Sequence, residues 1–207
     1  MTKLLFVVGI LSGTILLTLL AATVSAPSLR IWPTPGKGTW QSMVFWLHFR
    51  AANVITLLMA ALDWGSMDLI AAPVRMVGAV VASVCGVLYV RSYFSLGRPN
   101  TYCGRAGLVA EGVYKWTRNP QYVTVIPAYA GLALAADSAM VLALTACLLP
   151  AYVLMAFAEE PWLRRAYPGD YERYARRVPR FYNWRRARAL LRALIPPRQA
   201  SAELLKR

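Results

Sequence analysis

From residue 4 to residue 24 the chain reads LLFVVGILSGTILLTLLAATV, with no charged side chain. As a helix that run is long enough to cross the ~30 Å hydrocarbon layer of a bilayer. Pro27, Pro33 and Pro35 then forbid a continuing helix, and Trp32 and Trp40 in the same loop suit a membrane interface. Further apolar runs at about 43–62 and 69–93 are joined by a short connection carrying Asp63 and Asp68 and no basic residue. A polar stretch, about 95–119, holds Arg98, Arg105, Lys115 and Arg118. Two last runs, about 121–136 and 139–158, form a hairpin turning at Asp137-Ser138. The pattern predicts an all-α integral membrane protein, one domain over 1–207 with about five spans. Val24-Ser25-Ala26 faintly resembles a signal-peptidase site. The run before it is longer than the ~7–15 residues of a signal-peptide core, which favours a retained span.

Composition agrees, since 58% of the residues are hydrophobic and only 15% charged, giving a mean hydropathy of +0.45. A net charge of +14 would suggest nucleic acid in a soluble chain, but more than half of the 23 Lys and Arg lie beyond residue 160, after the last apolar run. That is the distribution of loops facing anionic lipid, not of a nucleic-acid module, so no nucleic-acid partner is expected. The positive-inside bias places the 95–119 loop and the C-terminal tail in the cytoplasm, in the inner membrane if the protein is bacterial, with the N-terminus and the two acidic turns outside. Within the tail, 184–195 (WRRARALLRALI) sets Trp184, Ala187, Leu191 and Leu194 on one helical face and Arg185, Arg188 and Arg192 on the other. It reads as an amphipathic helix lying on the inner leaflet or packed on the protein's own cytoplasmic face.

Cys85, Cys103 and Cys147 are far apart, and the single histidine, His48, has no cysteine cluster near it. Neither a disulfide framework nor a metal centre is expected. Charged groups at membrane depth are costly unless they pair or do work, so the candidates are few. His48 and Arg50 are ordinary interfacial residues if the second span begins near Ala51, and otherwise face a cavity and touch a substrate head group. Glu159 and Glu160 end the fifth span. They either sit in water beside Arg164 and Arg165 or serve a pocket, where only one of two adjacent helical residues can aim inward.

The segment GVYKWTRNPQY, Gly112 to Tyr122, gives that pocket a second wall. Pro120 fits the first turn of a helix, Asn119 before it is a good N-cap, and Arg118 sits at a helix N-terminus, where an anionic group is favoured. Tyr114, Trp116 and Tyr122 supply flat surfaces for a purine or a lipid-like group. A carboxylate at the end of the next helix completes a site able to clamp a zwitterion, such as an amino acid moiety, at both poles.

LVAEGVYKWTRNPQY, an apolar hairpin and EEPWLRRAYPGDYERYARRVPRF together resemble the integral membrane methyltransferases of the isoprenylcysteine carboxyl methyltransferase and phospholipid methyltransferase superfamily, over about 85–182. The resemblance implies binding of S-adenosylmethionine outside any Rossmann fold, in a pocket made by the last two membrane helices and the flanking segments. The chain has no glycine-rich loop after a strand that would contradict this. Gly112, Tyr114, Arg118, Asn119, Pro120 and Tyr122 match the motif, and Glu159 and Glu160 the acidic pair. By this resemblance Glu160 receives the cofactor's ammonium, Tyr114 and Tyr122 shape the pocket, and Arg118 faces the carboxylate or holds the loop. Arg164, Tyr171, Tyr174 and Arg180 close the tail over it.

The prenylcysteine enzymes usually carry His where this chain has Asn119, and an Arg a turn before the acidic pair where it has Met155 or Ala156. The missing Arg weakens the case for a carboxylate acceptor. The expected acceptor is lipophilic: a prenyl-type thiol or carboxylate, a phospholipid amine or a small hydrophobic thiol. Two other readings stay open: an NADPH-dependent reductase of sterol-reductase-like architecture, and a non-catalytic membrane adaptor.

Overall fold

The computed structural model describes residues 1–97, 100 and 107–182; the expected 184–195 helix, Arg98, Cys103 and Arg105 lie outside them. The described residues contain no strand. They form α1 (Thr2–Ser25), α2 (Trp40–Leu62), α3 (Ala72–Leu96), a 3-10 turn at Gly112–Lys115, α4 (Pro120–Ala136), α5 (Ala139–Ala166) and α6 (Asp170–Arg177). Four of these, α1, α2, α3 and α5, are long and apolar enough to cross a membrane. With 17 residues, α4 is shorter than the others. The helix starts have local causes. Thr39 caps α2 by accepting the Ser42 N–H, Ser138 caps α5 by accepting that of Val141, and Pro73 and Pro120 occupy first turns, where a missing N–H costs nothing.

Prolines inside the apolar helices are tolerated where a neighbour satisfies the carbonyl they leave free. Pro127 removes the donor that would have bonded the Val123 carbonyl, and the Tyr182 hydroxyl donates to that oxygen at 3.0 Å. The fifth apolar run continues as helix well past residue 158, through Glu159, Glu160 and Pro161 to Ala166, so both carboxylates are held on rigid backbone.

At the centre of the bundle, α5 packs against α1, α2 and α4, while α3 lies chiefly against α4. The main core joins Leu16 and Leu20 of α1, Phe45 of α2, Tyr122 and Tyr129 of α4, and Tyr152 and Met155 of α5. Within it, the Asn53 side-chain oxygen accepts from the Tyr129 and Tyr152 hydroxyls at 2.5 and 2.6 Å, and its amide donates to the Phe49 carbonyl. This polar knot ties three helices where lipid offers no hydrogen bonds.

At one end of the bundle the two acidic turns meet. Buried Asp137, in the left-handed region at φ 46°, accepts from the Leu69 and Ile70 N–H groups and faces Arg75 at 3.8 Å. Ser138 donates to Asp63 at 2.5 Å. The other end gathers the termini of α3 and α5, the start of α4 and α6, and there the candidate site lies.

The α3–α4 crossing depends on two glycines. A Cβ on Gly131 would stand 2.6 Å from the Gly78 carbonyl oxygen, and one on Gly78 would stand 2.7 Å from the Gly131 oxygen. Backbone cannot yield as a side-chain tip can, so Gly131→Ala should lower stability by about 1–3 kcal/mol, the usual cost of over-packing. Gly86→Ala, where nothing lies within 4 Å, should not. Unfolding midpoints of the two variants in detergent test this.

Candidate active site

Gly112 has φ 59°, a left-handed conformation that a side chain would strain, and it turns the chain into the 3-10 element that buries Tyr114. Four residues on, Arg118 projects inward, its backbone N–H donating to the Pro179 carbonyl at 2.9 Å. Asn119 stands at the N-cap position of α4, but its side chain does not cap the helix. Its amide donates instead to the Arg180 carbonyl at 3.0 Å, an oxygen that the Thr117 hydroxyl also reaches at 3.0 Å. Residues 117–119 thereby fasten the strap at 179–180 that returns from α6.

The strap is secured by charge as well. Arg180 forms a bidentate pair with Glu160, Nε and Nη2 lying 2.6 and 2.7 Å from the two carboxylate oxygens. Arg118 Nη1 lies 3.1 Å from the same carboxylate and donates to the Tyr171 hydroxyl at 3.0 Å. Arg164, a turn along α5, approaches Glu160 at 4.0 Å and Glu172 at 3.3 Å. The Glu160 side chain is 8% exposed and that of Arg118 11%. A carboxylate removed this far from water requires such pairing.

Short α6 carries Tyr171, Tyr174 and Val178 inward on one face. The Tyr174 hydroxyl donates to the Tyr114 carbonyl at 2.7 Å, which locks the 3-10 element to α6. Burial pushes the hydroxyls of Tyr114, Tyr171 and Tyr174 above the usual phenol range, so all three stay neutral O–H groups at physiological pH. The hydrogen bond to Glu160 raises Arg180 in turn.

Between these elements lies a cavity that opens to solvent. Its wall includes Leu96, Tyr114, Arg118, Asn119, Pro120, Gln121, Tyr122, Glu159, Trp162, Tyr171 and Tyr174. Of the residues expected from the sequence, Tyr114, Arg118, Asn119, Pro120, Tyr122 and Glu159 meet there. Gly112 and Glu160 do not line it. Expectation gives the inward-facing role to Glu160 and the bracing role to Glu159; in the structure the adjacent side chains point the opposite way. Glu159 faces the cavity near Tyr122 and Trp32, and Glu160 faces the guanidinium groups. His48 and Arg50 stand apart from this cavity, Arg50 being exposed over the Trp46 ring at 5.2 Å. Of the tail residues, Tyr171 and Tyr174 reach the wall, whereas Arg164 and Arg180 reach Glu160.

Gln121 and Trp162 escaped the sequence reading. Trp162 follows Glu159 by three helical positions and so shares its face, a signal that was available. Gln121 fills the variable position of Arg-Asn-Pro-x-Tyr, where nothing marks it. Two buried donors on the wall, Arg118 Nε and Gln121 Nε2, have no acceptor within bonding geometry, although Gln121 lies near the Tyr114 hydroxyl.

Residues 74–170, just under half the chain, match the family model of phospholipid methyltransferases. Over that segment the chain is similar to phospholipid methyltransferases, in keeping with the membrane methyltransferase superfamily that its motifs resemble. The matched segment spans both Arg118–Tyr122 and the Glu159–Glu160 pair. No curated protein and no solved structure matches the chain.

Because Glu160 and the Arg118 guanidinium it holds are both nearly removed from water, Glu160→Gln should cost about 3 kcal/mol, the scale of breaking a buried pair. Hydrogen exchange should then speed at the Arg118 amide and across 170–180, with α1 and α2 unchanged.

Proposed function

We propose that the chain transfers a methyl group from S-adenosylmethionine to a lipophilic acceptor reached from the bilayer, with the cavity between α4, α5 and α6 holding the donor. The observation that carries this reading is a wall with a carboxylate, Glu159, and unsatisfied buried donors on Arg118 and Gln121, joined by the aromatic surfaces of Tyr114, Tyr122 and Trp162. A group with an ammonium, a carboxylate and a purine matches that set.

In this reading Glu159 takes the ammonium, and Arg118 Nε with Gln121 offers donors to the carboxylate. Tyr114, Tyr122 and Trp162 pack the flat and apolar parts. Glu160 works indirectly, holding Arg118 and the 179–180 strap in position. Bound S-adenosylmethionine supplies a methyl on a sulfonium, already activated for in-line attack. The chain then needs little proton transfer, and its main contributions are alignment and exclusion of water. The excess of Lys and Arg on the loops at this end supports a site on the cytoplasmic side.

Titration of the detergent-purified full chain with S-adenosylhomocysteine, beside NADPH, tests the proposal. The first ligand alone should bind. Glu159→Gln should weaken it at least about tenfold without altering hydrogen exchange in 170–180, whereas Glu160→Gln should weaken it together with faster exchange there. Binding of NADPH in place of S-adenosylhomocysteine, or undiminished affinity in Glu159→Gln, would overturn it.

A further inference from the structure

Behind Trp162, on the side of α5 turned toward α1, lie two adjoining hollows open to the surroundings. Both are lined by Pro27, Arg30, Trp162 and Arg165. The smaller also touches Val24, Trp32 and Phe157. Neither Arg30 nor Arg165 has an ion-pair or hydrogen-bond partner for its guanidinium among the described residues, although Arg75, Arg118, Arg164, Arg173 and Arg180 all face carboxylates. Two guanidinium groups bordering the same hollow without a carboxylate of the chain paired to them make it favourable to an anion.

Arg30 is also held in place. Its backbone is in the left-handed region at φ 50°, where a side chain other than glycine is strained. The flanking chain keeps it there: Leu29 N–H donates to the Ala26 carbonyl, and Ile31 N–H donates to the Thr23 hydroxyl at 3.3 Å. Ile31 and Trp32 are buried beyond it, Trp32 stacking on Phe45 at 4.5 Å. Such anchoring lowers the ordering cost of binding.

The position favours one source of anion. Arg30 follows the end of α1 by five residues and Arg165 lies in the last turn of α5. Both therefore stand where an apolar helix gives way to polar chain, the level of lipid phosphates, with Trp162 as an interfacial aromatic beside them. Below them Val24 and Phe157 present exposed apolar surface on the same hollow. A free phosphate has no use for that surface, whereas a phospholipid does.

We propose that Arg30 and Arg165 clamp the phosphate of a membrane phospholipid, its acyl chains lying over Val24 and Phe157. Guanidinium groups suit phosphate because their planar forks match its oxygens. The hollow shares Trp162 with the cavity assigned to the methyl donor. The lipid so held has its head group one indole away from that cavity, which makes Arg30 and Arg165 the residues that select a phosphate-bearing acceptor over a thiol lacking phosphate. This selecting role rests on the methyltransferase reading; the phosphate site itself does not.

The test compares a fluorescent short-chain phosphatidylglycerol with the matching diacylglycerol for binding to the full chain in uncharged detergent. The wild type should prefer the phosphate-bearing lipid by about tenfold or more, and Arg30→Gln with Arg165→Gln together should abolish the preference. Each single substitution should remove part of it. S-adenosylhomocysteine should bind the double variant as it binds the wild type, which shows that the variant is folded and separates this proposal from the donor assignment. A preference that survives in the double variant would overturn the site. Displacement of the lipid by a modest excess of inorganic phosphate would overturn the lipid as its occupant.

Discussion

One buried carboxylate organises the functional end of this protein. Glu160 lies on a helix continuous with a membrane-spanning run, so its backbone cannot adjust, and it is nearly removed from water. Such a group must be neutralised on the spot. Arg118 arrives from the segment before α4 and Arg180 from the strap after α6, and neither is close to Glu160 in sequence. The carboxylate pairs with both, and hydrogen bonds from 117–119 to the Pro179 and Arg180 carbonyls join the same two segments. The cavity is the space these three segments enclose, held also by the packing of Tyr114 against Tyr171, Tyr174 and Val178.

Adjacent residues on a helix diverge by about 100°, so a Glu-Glu pair divides its labour. One carboxylate secures the walls, and the other remains for whatever enters. The division also explains why the site is rich in arginine yet leaves a carboxyl group on the cavity wall: Arg118 and Arg180 pair with Glu160, not with Glu159. Asn119 belongs to the same economy of fastening, since its amide reaches the strap carbonyl and not the helix start.

The two ends of the bundle solve similar problems differently. Away from the cavity, Asp137 and Asp63 tie the α2–α3 connection to the α4–α5 turn with backbone N–H groups and a serine hydroxyl. At the cavity end the fastening is ionic and leaves space. Between them the Asn53 knot and the glycine crossing of α3 on α4 hold the helices at fixed spacing, so the cavity stands on a rigid base.

An all-helical membrane protein was legible in the uncharged runs, because a backbone in hydrocarbon must satisfy its own hydrogen bonds and helices do so locally. The motif from Gly112 to Tyr122 and the Glu159–Glu160 pair were legible as the marks of a membrane methyltransferase superfamily for a related reason: they are contiguous, and their spacing survives in one dimension. What sequence does not carry is direction. Which glutamate faces the cavity depends on the rotation of α5 against α4. That Asn119 reaches a strap sixty residues away, that Gln121 joins the wall, and that Arg30 comes to lie beside Arg165 depend on how α1, α4, α5 and α6 pack. These are contacts between distant segments, settled by side-chain packing and by the need to pair buried charge, and only the tertiary structure decides them.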